Sequence, residues 1–456
     1  MVQLPADFVA ETRRIMGDER YNRFVGAFDE EAPTSIRVNP RIAIDHGPLT
    51  ILALQASRAG ADHSDSQVPW CSEGYYLNDR PQFTFDPLLH AGCYYVQEAS
   101  SMFVTHILRN VQCSAPALLA CKARMVNGQC SMVNVQCSMF NGQCSMVNGQ
   151  CSMVNVQCAL DLCAAPGGKS TALRSVLPDD CVLISNEPMG NRAQILLENV
   201  TKWGGPNHIV TNNYPRDFRK AKLKFDLILC DVPCSGEGMF RKDPNAISEW
   251  SAQNVEKCWQ LQREIVADAW ECLNPGGLLI YSTCTYNTKE NEENIRWILD
   301  TYDAQVLDIP VDPSWNITGS LLQGFNEPVY RFIPGITRGE GLFVCALRKA
   351  GSLEPKPFNA KKLALKVLDA EFEKSDVCVD VDYATALKYL RGEALVLPAD
   401  TPRGIVTITY QGQPLGPAKN IGNRANNLYP KAWRIKSTHL PSEPPEVLKK
   451  CKNLKM

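Results

Sequence analysis

The 456-residue chain contains no apolar run approaching the roughly 20 residues needed to cross a bilayer. Its first residues, MVQLPADFVAETRRIMG, lack the basic-then-apolar order of a secretory leader. Both absences point to a soluble cytoplasmic protein that does not engage membranes. An excess of one charge is lacking too: 47 basic against 49 acidic residues give a net charge of −2. A global positive field for nucleic acid is thereby excluded, and only local patches remain. Arg216, Arg219, Lys220, Lys222 and Lys224 form one basic stretch, and Lys449, Lys450, Lys452 and Lys455 another. On charge alone both read as solvated faces. Cys-x-x-Cys spacing is missing among the 19 cysteines, so no metal site is expected. The size of the chain favours reduced thiols over a disulfide scaffold.

Five of those cysteines belong to a tandem seven-residue repeat over 125 to 158, MVNGQCS-MVNVQCS-MFNGQCS-MVNGQCS-MVNVQC. A heptad period suggests a coiled coil, but Asn, Gly, Ser and Val are poor helix formers and no flanking charge pattern exists. The repeat reads as a low-complexity insertion. Removing 121 to 159 joins Ala117-Leu-Leu-Ala120 to Leu160-Asp-Leu-Cys163 as one strand entering a turn. The insertion is therefore expected to loop out at the mouth of a core strand.

The length suits about three domains at roughly 150 residues each. We expect an N-terminal unit over 1–85, a central unit over 86–350 and a terminal unit over 360–456, after the linker GSLEPKPFN. Short apolar runs at 160–163, 182–185, 209–211, 227–230, 278–282 and 342–347 alternate with helical patterns. Asn274-Pro-Gly-Gly277 closes the helix before Leu278. This alternation predicts an α/β, doubly wound, mostly parallel sheet. IVTITYQGQPLG predicts a hairpin turning at Gln411-Gly412.

Three segments carry chemistry. In Leu160-Asp-Leu-Cys-Ala-Ala-Pro-Gly-Gly-Lys-Ser-Thr171 a strand enters a Pro-Gly-Gly turn and then a helix, so backbone N–H groups can approach a ligand. A P-loop would need glycine where Cys163 stands, and Gly-x-Gly-x-x-Gly is absent. Glu187 follows Gly168 by 19 residues at the end of the next strand, suited to ribose hydroxyls. Asp231-Val-Pro-Cys234 and Ser282-Thr-Cys284 each close a further strand. In open α/β sheets ligands bind beyond the carboxyl ends of strands, so all these residues should meet in one crevice. Two thiols without a histidine partner argue against a papain-like protease.

These segments, LDLCAAPGGKST, DVPCSGEGMFRKDP and LIYSTCTYNTKENEENI, resemble the motifs of the Sun-domain RNA cytosine-5 methyltransferases. EGLFVCALRK is similar to the family's last core strand. EAPTSIRVNP and GNRANNLYPKAWRI resemble its bacterial small-subunit rRNA branch (RsmF-like). The resemblance implies a Rossmann-like methyltransferase core with a small N-terminal α+β domain and a C-terminal PUA-like RNA-binding domain. It implies S-adenosyl-L-methionine as cofactor, held by Cys163, Ala164, Ala165, Pro166, Gly167, Gly168 and Lys169. Glu187 would hold the ribose, with Arg192 and Asp231 beside the cofactor. By the same resemblance Cys284 is the nucleophile, Cys234 assists release, Asp231 binds the target base and Lys169 stabilises developing charge. The family has an acid after its third strand, where this chain has Asn212 and Asn213; Asn213 is expected to take its place. The implied substrate is 16S rRNA or the small ribosomal subunit, met by a monomer. A tRNA cytosine-5 methyltransferase, or a non-catalytic assembly factor disabled by the repeat, are the alternatives. A DNA enzyme would place its nucleophile in the Pro-Cys motif.

Overall fold

The computed structural model describes residues 2–42, 66–111, 156–354, 364–370 and 375–445, with a few isolated positions between and after them. Most of the repeat lies outside the described residues, as do Lys452 and Lys455.

Two short helices, α1 (Ala6–Met16) and α2 (Asp18–Gly26), open the chain. A three-stranded antiparallel sheet follows, β1 (Thr34–Val38), β2 (Gly74–Leu77) and β3 (Tyr94–Val96), in the order β2-β1-β3. The first unit thus runs past the boundary expected at 85, because Tyr94–Val96 pairs with Ile36–Val38. Three residues are too short a run to read as a strand without their partner.

The central sheet has nine strands. Five are parallel: β4 (Cys158–Asp161), β5 (Val182–Asn186), β6 (His208–Thr211), β7 (Phe225–Asp231) and β8 (Leu273–Thr283). They lie in the order β8-β7-β4-β5-β6, so the chain starts in the middle, winds out one way, and returns to wind out the other. Antiparallel strands complete it: β9 (Ala304–Val306), β10 (Tyr330–Phe332) and β11 (Leu342–Lys349) beyond β8, and β12 (Val367–Leu368) beyond β6. β12 lies past the linker, in the stretch assigned to the terminal unit, and covers the edge of β6.

Strand alternation divides the core into two layers. Leu278 and Ile280 face α3 (Phe103–Val111) and α4 (Gly168–Val176) in one apolar cluster. Leu279 and Tyr281 face α6 (Ala252–Cys272) and α7 (Glu292–Thr301) in the other. Both faces being covered explains why these strands read as continuous apolar runs. Helix α5 (Gly190–Trp203) lies between β5 and β6 in the chain and backs the glycine loop through Leu196, Leu197 and Val200.

β4 begins at Cys158, inside the stretch assigned to the insertion. Cys158 and Ala159 are fully buried, and the Asp226 carboxylate accepts N–H bonds from Gln157 (2.8 Å) and Cys158 (3.1 Å). The last repeat unit, MVNVQC, thus ends as core strand. Strand alternation places Cys158 and Leu160 in one cluster and Ala159 in the other.

The terminal unit contains β13 (Cys378–Asp380), α8 (Tyr383–Leu390), β14 (Gly404–Tyr410), β15 (Gln413–Asn420) and β16 (Ala425–Asn427), its sheet ordered β13-β14-β15-β16. Gln411 and Gly412 make the predicted two-residue turn, with φ of 51° and 77°. Leu387, Leu390, Val406, Ile408 and Trp433 share one core with Ile36, Phe83, Leu88 and Tyr94 of the first unit.

Candidate active site

The carboxyl ends of β4, β5, β7 and β8 open into one crevice, at the point where the strand order reverses. After Asp161 the chain turns through Cys163, Ala164, Ala165, Pro166 and Gly167 into α4. The Ala164 N–H bonds the Asn186 carbonyl at 2.8 Å, pinning this loop to β5. The Ala165–Pro166 bond is cis. Gly167 has φ of 116°, and a Cβ there would touch Leu196 at 3.3 Å. Glycine is therefore required both for the turn and for packing against α5.

Arg37, from β1, holds this loop from outside. Its guanidinium is fully buried and donates to Gln97 Oε1 (2.7 Å), Thr171 Oγ1 (2.5 Å), Ser175 Oγ (3.1 Å) and the Gly168 carbonyl (3.3 Å). It also stacks over Trp203 at 4.3 Å. Burial lowers its pKa to about 10, so it stays charged at neutral pH. Nothing in the pattern of TSIRVNP marks this arginine as buried.

Two acids flank the loop. Asp161 is fully buried; Ser170 Oγ donates to its Oδ2 at 2.6 Å, while Oδ1 has no partner among the described residues. Burial raises its pKa to about 7. Glu187 is also buried, with Oε1 accepting from the Met189 N–H at 2.9 Å. Arg192 lies 3.4 Å from Glu187 Oε2 and donates to the Ala165 carbonyl at 3.0 Å, bracing acid and loop together.

Asn213 faces elsewhere. Its side-chain oxygen accepts from the Lys366 N–H and its amide donates to the Lys366 carbonyl, both at 3.1 Å. Lys366 Nζ bonds Asn212 Oδ1 at 2.7 Å. Asn213, expected beside the cofactor, and its neighbour Asn212 thus fasten the segment that carries β12 to β6.

Across the crevice Lys169 Nζ pairs with Asp231 Oδ2 at 2.8 Å, and Ser282 Oγ donates to Asp231 Oδ1 at 2.7 Å. Burial opposes the Lys169 charge, but the Asp231 carboxylate outweighs it and raises its pKa overall. Cys234 and Cys284 come from two neighbouring strands, yet their sulfurs lie 3.3 Å apart. That contact, then burial, pushes the Cys234 thiol well up, so Cys234 keeps its proton. Both side chains remain partly accessible, unlike buried Cys163 and Cys230.

Residues not singled out from the sequence organise this pair. Glu237 and Glu290 are buried beside the two cysteine loops. Glu237 accepts bonds from Thr285 Oγ1, the Tyr286 N–H (2.6 Å) and the Asn287 N–H (3.1 Å). Glu290 accepts from Ser235 N–H (3.0 Å), Ser235 Oγ (2.5 Å) and Gln262 Nε2 (2.7 Å). Burial, then the Glu237 charge, raises Glu290 to about 7. The available signal was an acid within a few residues of each cysteine, in Cys-Ser-Gly-Glu and in Thr-Lys-Glu.

Three family models match the chain in order: the N-terminal domain of 16S rRNA methyltransferase RsmF over 4–99, 16S rRNA methyltransferase RsmB/F over 151–348, and the methyltransferase RsmF PUA domain over 377–435. In this order of domains the chain is similar to the 16S rRNA methyltransferases of the RsmF type. Among its relatives is the ribosomal RNA small subunit methyltransferase F of Pectobacterium atrosepticum, 32% identical over 365 residues, covering 78% of this chain and 64% of that protein. The protein of that name from Escherichia coli is 30% identical over 368 residues, covering 78% and 65%. The chain thus spans just under two thirds of these relatives' length. Two crystal structures from Pyrococcus horikoshii share the fold. A methyltransferase homolog protein has TM-score 0.52 at 23% identity, covering 76% of this chain and all of that one. NSun6 has TM-score 0.54 at 18% identity, covering 76% and 99%. The terminal unit is matched as the family's PUA domain, as its resemblance implied. Among the described residues no helix is long and apolar enough to cross a membrane, and no His/Cys/Asp/Glu group is placed to hold a metal ion.

Proposed function

We propose that this protein methylates carbon 5 of a cytosine in 16S rRNA, using S-adenosylmethionine as donor and Cys284 as a transient nucleophile. The observation that carries the reading is the meeting of two accessible thiols, 3.3 Å apart, with the Lys169–Asp231 pair in the crevice of a methyltransferase fold.

The residues fit the cofactor. The turn at Gly167 and the first N–H groups of α4 suit its amino-acid end. Glu187 is a buried acid at a strand end, suited to ribose hydroxyls, and the unpartnered Oδ1 of Asp161 is a further acceptor behind the loop. Bound there, S-adenosylmethionine supplies an electrophilic methyl group. Asn213 is left out of this set, because its amide holds Lys366.

Carbon 5 of cytosine is a poor nucleophile. Addition of the Cys284 thiolate at carbon 6 makes carbon 5 electron-rich, dividing one hard step into easier ones. Asp231, fixed by Lys169 and Ser282, presents an acceptor to the ring's nitrogen side. Lys169 places positive charge where the adduct gathers electrons. Once carbon 5 is methylated, its proton leaves to water and the carbon–sulfur electron pair returns to Cys284. The Cys234 S–H, still protonated, donates to the departing sulfur. A base inside a duplex cannot reach this crevice, so the target must be flipped or single-stranded.

The test is transfer of label from S-adenosylmethionine to 16S rRNA, small ribosomal subunits and tRNA. We expect 5-methylcytosine in the ribosomal RNA, none with Cys284→Ala, and a stable RNA adduct with Cys234→Ala. Cofactor binding without transfer to any RNA would sink the enzymatic reading in favour of a non-catalytic binding factor. Transfer confined to tRNA would replace the substrate.

A further inference from the structure

We infer that Glu237 and Glu290 are positioning residues that set the separation of the two active-site sulfurs by a reciprocal grip. The inference rests on the roles proposed above for Cys234 and Cys284.

The grip is an exchange. Glu237 stands three residues after Cys234, yet it holds the loop of the other cysteine: Thr285, Tyr286 and Asn287. Glu290 stands six residues after Cys284, yet it holds Ser235, next to Cys234, through both backbone N–H and hydroxyl. Asn287 Nδ2 bridges the acids, 3.0 Å from Glu237 Oε1 and 2.8 Å from Glu290 Oε1. The gripped hydroxyls, Ser235 and Thr285, lie 3.1 Å apart, and each immediately follows one of the cysteines. A backbone bond from Gly238 N–H to the Cys284 carbonyl, 2.6 Å, closes the frame.

Two carboxylates buried this close repel one another, and burial together with that repulsion disfavours the Glu290 charge. A fold needing only stability would fill the space with apolar side chains. The acids instead collect donors from the two loops whose cysteines must act together. A thiol that donates to a departing thiolate must stay within hydrogen-bond reach of it, about 4 Å for sulfur. A displacement of about 1 Å can cost on the order of 100-fold in rate.

A thiol equilibrium tests the separation without RNA. The full chain is brought to equilibrium with reduced and oxidised glutathione. Two thiols then lose their hydrogens to one oxidised glutathione, giving one protein disulfide and two reduced glutathiones. The Cys234–Cys284 cross-linked peptide is quantified by mass spectrometry. We expect its equilibrium constant to fall at least tenfold in Glu237→Gln and in Glu290→Gln, with S-adenosylmethionine affinity within twofold of the unsubstituted chain. An amide keeps the size but turns N–H groups towards donors, breaking the grip. A constant unchanged within twofold in variants that bind cofactor overturns the inference. If the carboxamide variants fail to bind cofactor, Ser235→Ala and Thr285→Val take the same measurement, and there too a tenfold fall supports the grip and an unchanged constant refutes it.

RNA gives a second readout. Adduct that survives denaturing electrophoresis should accumulate in the Glu variants, as in Cys234→Ala, because release is slowed while addition persists. A purely stabilising role would lower both steps together. Absence of adduct even in Cys234→Ala would refute the proposed release step, while the thiol equilibrium still decides the grip.

Discussion

Replacing Arg37 by methionine sets two large effects against each other. Methionine keeps most of the side chain's length and apolar contact but removes the charge and all its N–H donors. Burial lowers the Arg37 pKa from 12.5 to about 10, and a shift of that size corresponds to about 3 kcal/mol spent on keeping the charge inside. The substitution recovers that amount. Against it stand four acceptors, Gln97 Oε1, Thr171 Oγ1, Ser175 Oγ and the Gly168 carbonyl, which lose a charged donor. Hydrogen bonds to charged groups contribute roughly 1.5–3 kcal/mol each, and their sum within one network is less than additive. The bonds win, and a net loss of about 3 kcal/mol is expected, in line with breaking other buried charged networks. Urea denaturation measures it. Two of the acceptors lie in the first turn of α4, so S-adenosylmethionine titrated by calorimetry should bind at least several-fold more weakly. Arg37→Lys should restore the charge without the fork and recover only part of both losses. Undiminished stability together with unchanged cofactor affinity would refute the reasoning.

Deleting 121–155 should leave a folded chain that binds S-adenosylmethionine, whereas deleting 121–159 puts Leu119-Ala120 where Cys158-Ala159 stand and forces a larger leucine into the packed cluster of Cys158, so stability should fall by about 1–3 kcal/mol; equal stability would contradict the assignment of β4. Gly238→Ala places a methyl group against the Cys284 carbonyl and within 3.1 Å of the Gly341 carbonyl, so methylation should fall about 100-fold, read by label transfer, with a stability loss of about 1–3 kcal/mol. Asp161 and Glu290 both have their pKa raised to about 7 by burial, so each binds a proton more tightly folded than unfolded. The stability this confers is complete below about pH 4 and lost as pH rises through 7. Unfolding free energy should drop by about 2 kcal/mol per group between pH 5.5 and 8, and Glu290→Gln should flatten the slope. Asn213→Ala should leave cofactor affinity within twofold by calorimetry, since the side chain holds Lys366 instead.

Much of the fold was legible in the chain because its signals are local. The buried strands read as apolar runs, Asn274-Pro275-Gly276-Gly277 follows the end of α6, and Gln411-Gly412 turns the terminal hairpin. The PUA match over 377–435 agrees with the reading of GNRANNLYPKAWRI. What was not legible depends on partners distant in sequence. Tyr94–Val96 becomes a strand only beside β1, 56 residues or more earlier. Cys158 looked like one more repeat cysteine because identical residues precede it; only Asp226 and the neighbouring strands make it core. In the site, residues at strand ends could be gathered by the topology rule, but the cross-linking of Glu237 and Glu290 could not, because each acid serves the loop on which it does not lie. Asn213 is the converse case: its position after β6 suggested a ligand contact, and Lys366, just before β12, claimed it.

The core shared by the first and last units bears on the order in which a ribosome delivers the chain. Ile36, Phe83, Leu88 and Tyr94 emerge early, but the residues that cover them, Leu387, Leu390, Val406, Ile408 and Trp433, emerge about 300 residues or more later. At about 5–20 residues per second, that interval is roughly 15–60 seconds. The central sheet, whose strands from β4 to β11 are synthesised within the interval, can close first. The nascent N-terminal sheet waits with one apolar face uncovered until synthesis is nearly complete. The unit made first is thus among the last to be finished, and a chain stopped short of α8 keeps its central sheet but carries an open, adhesive face.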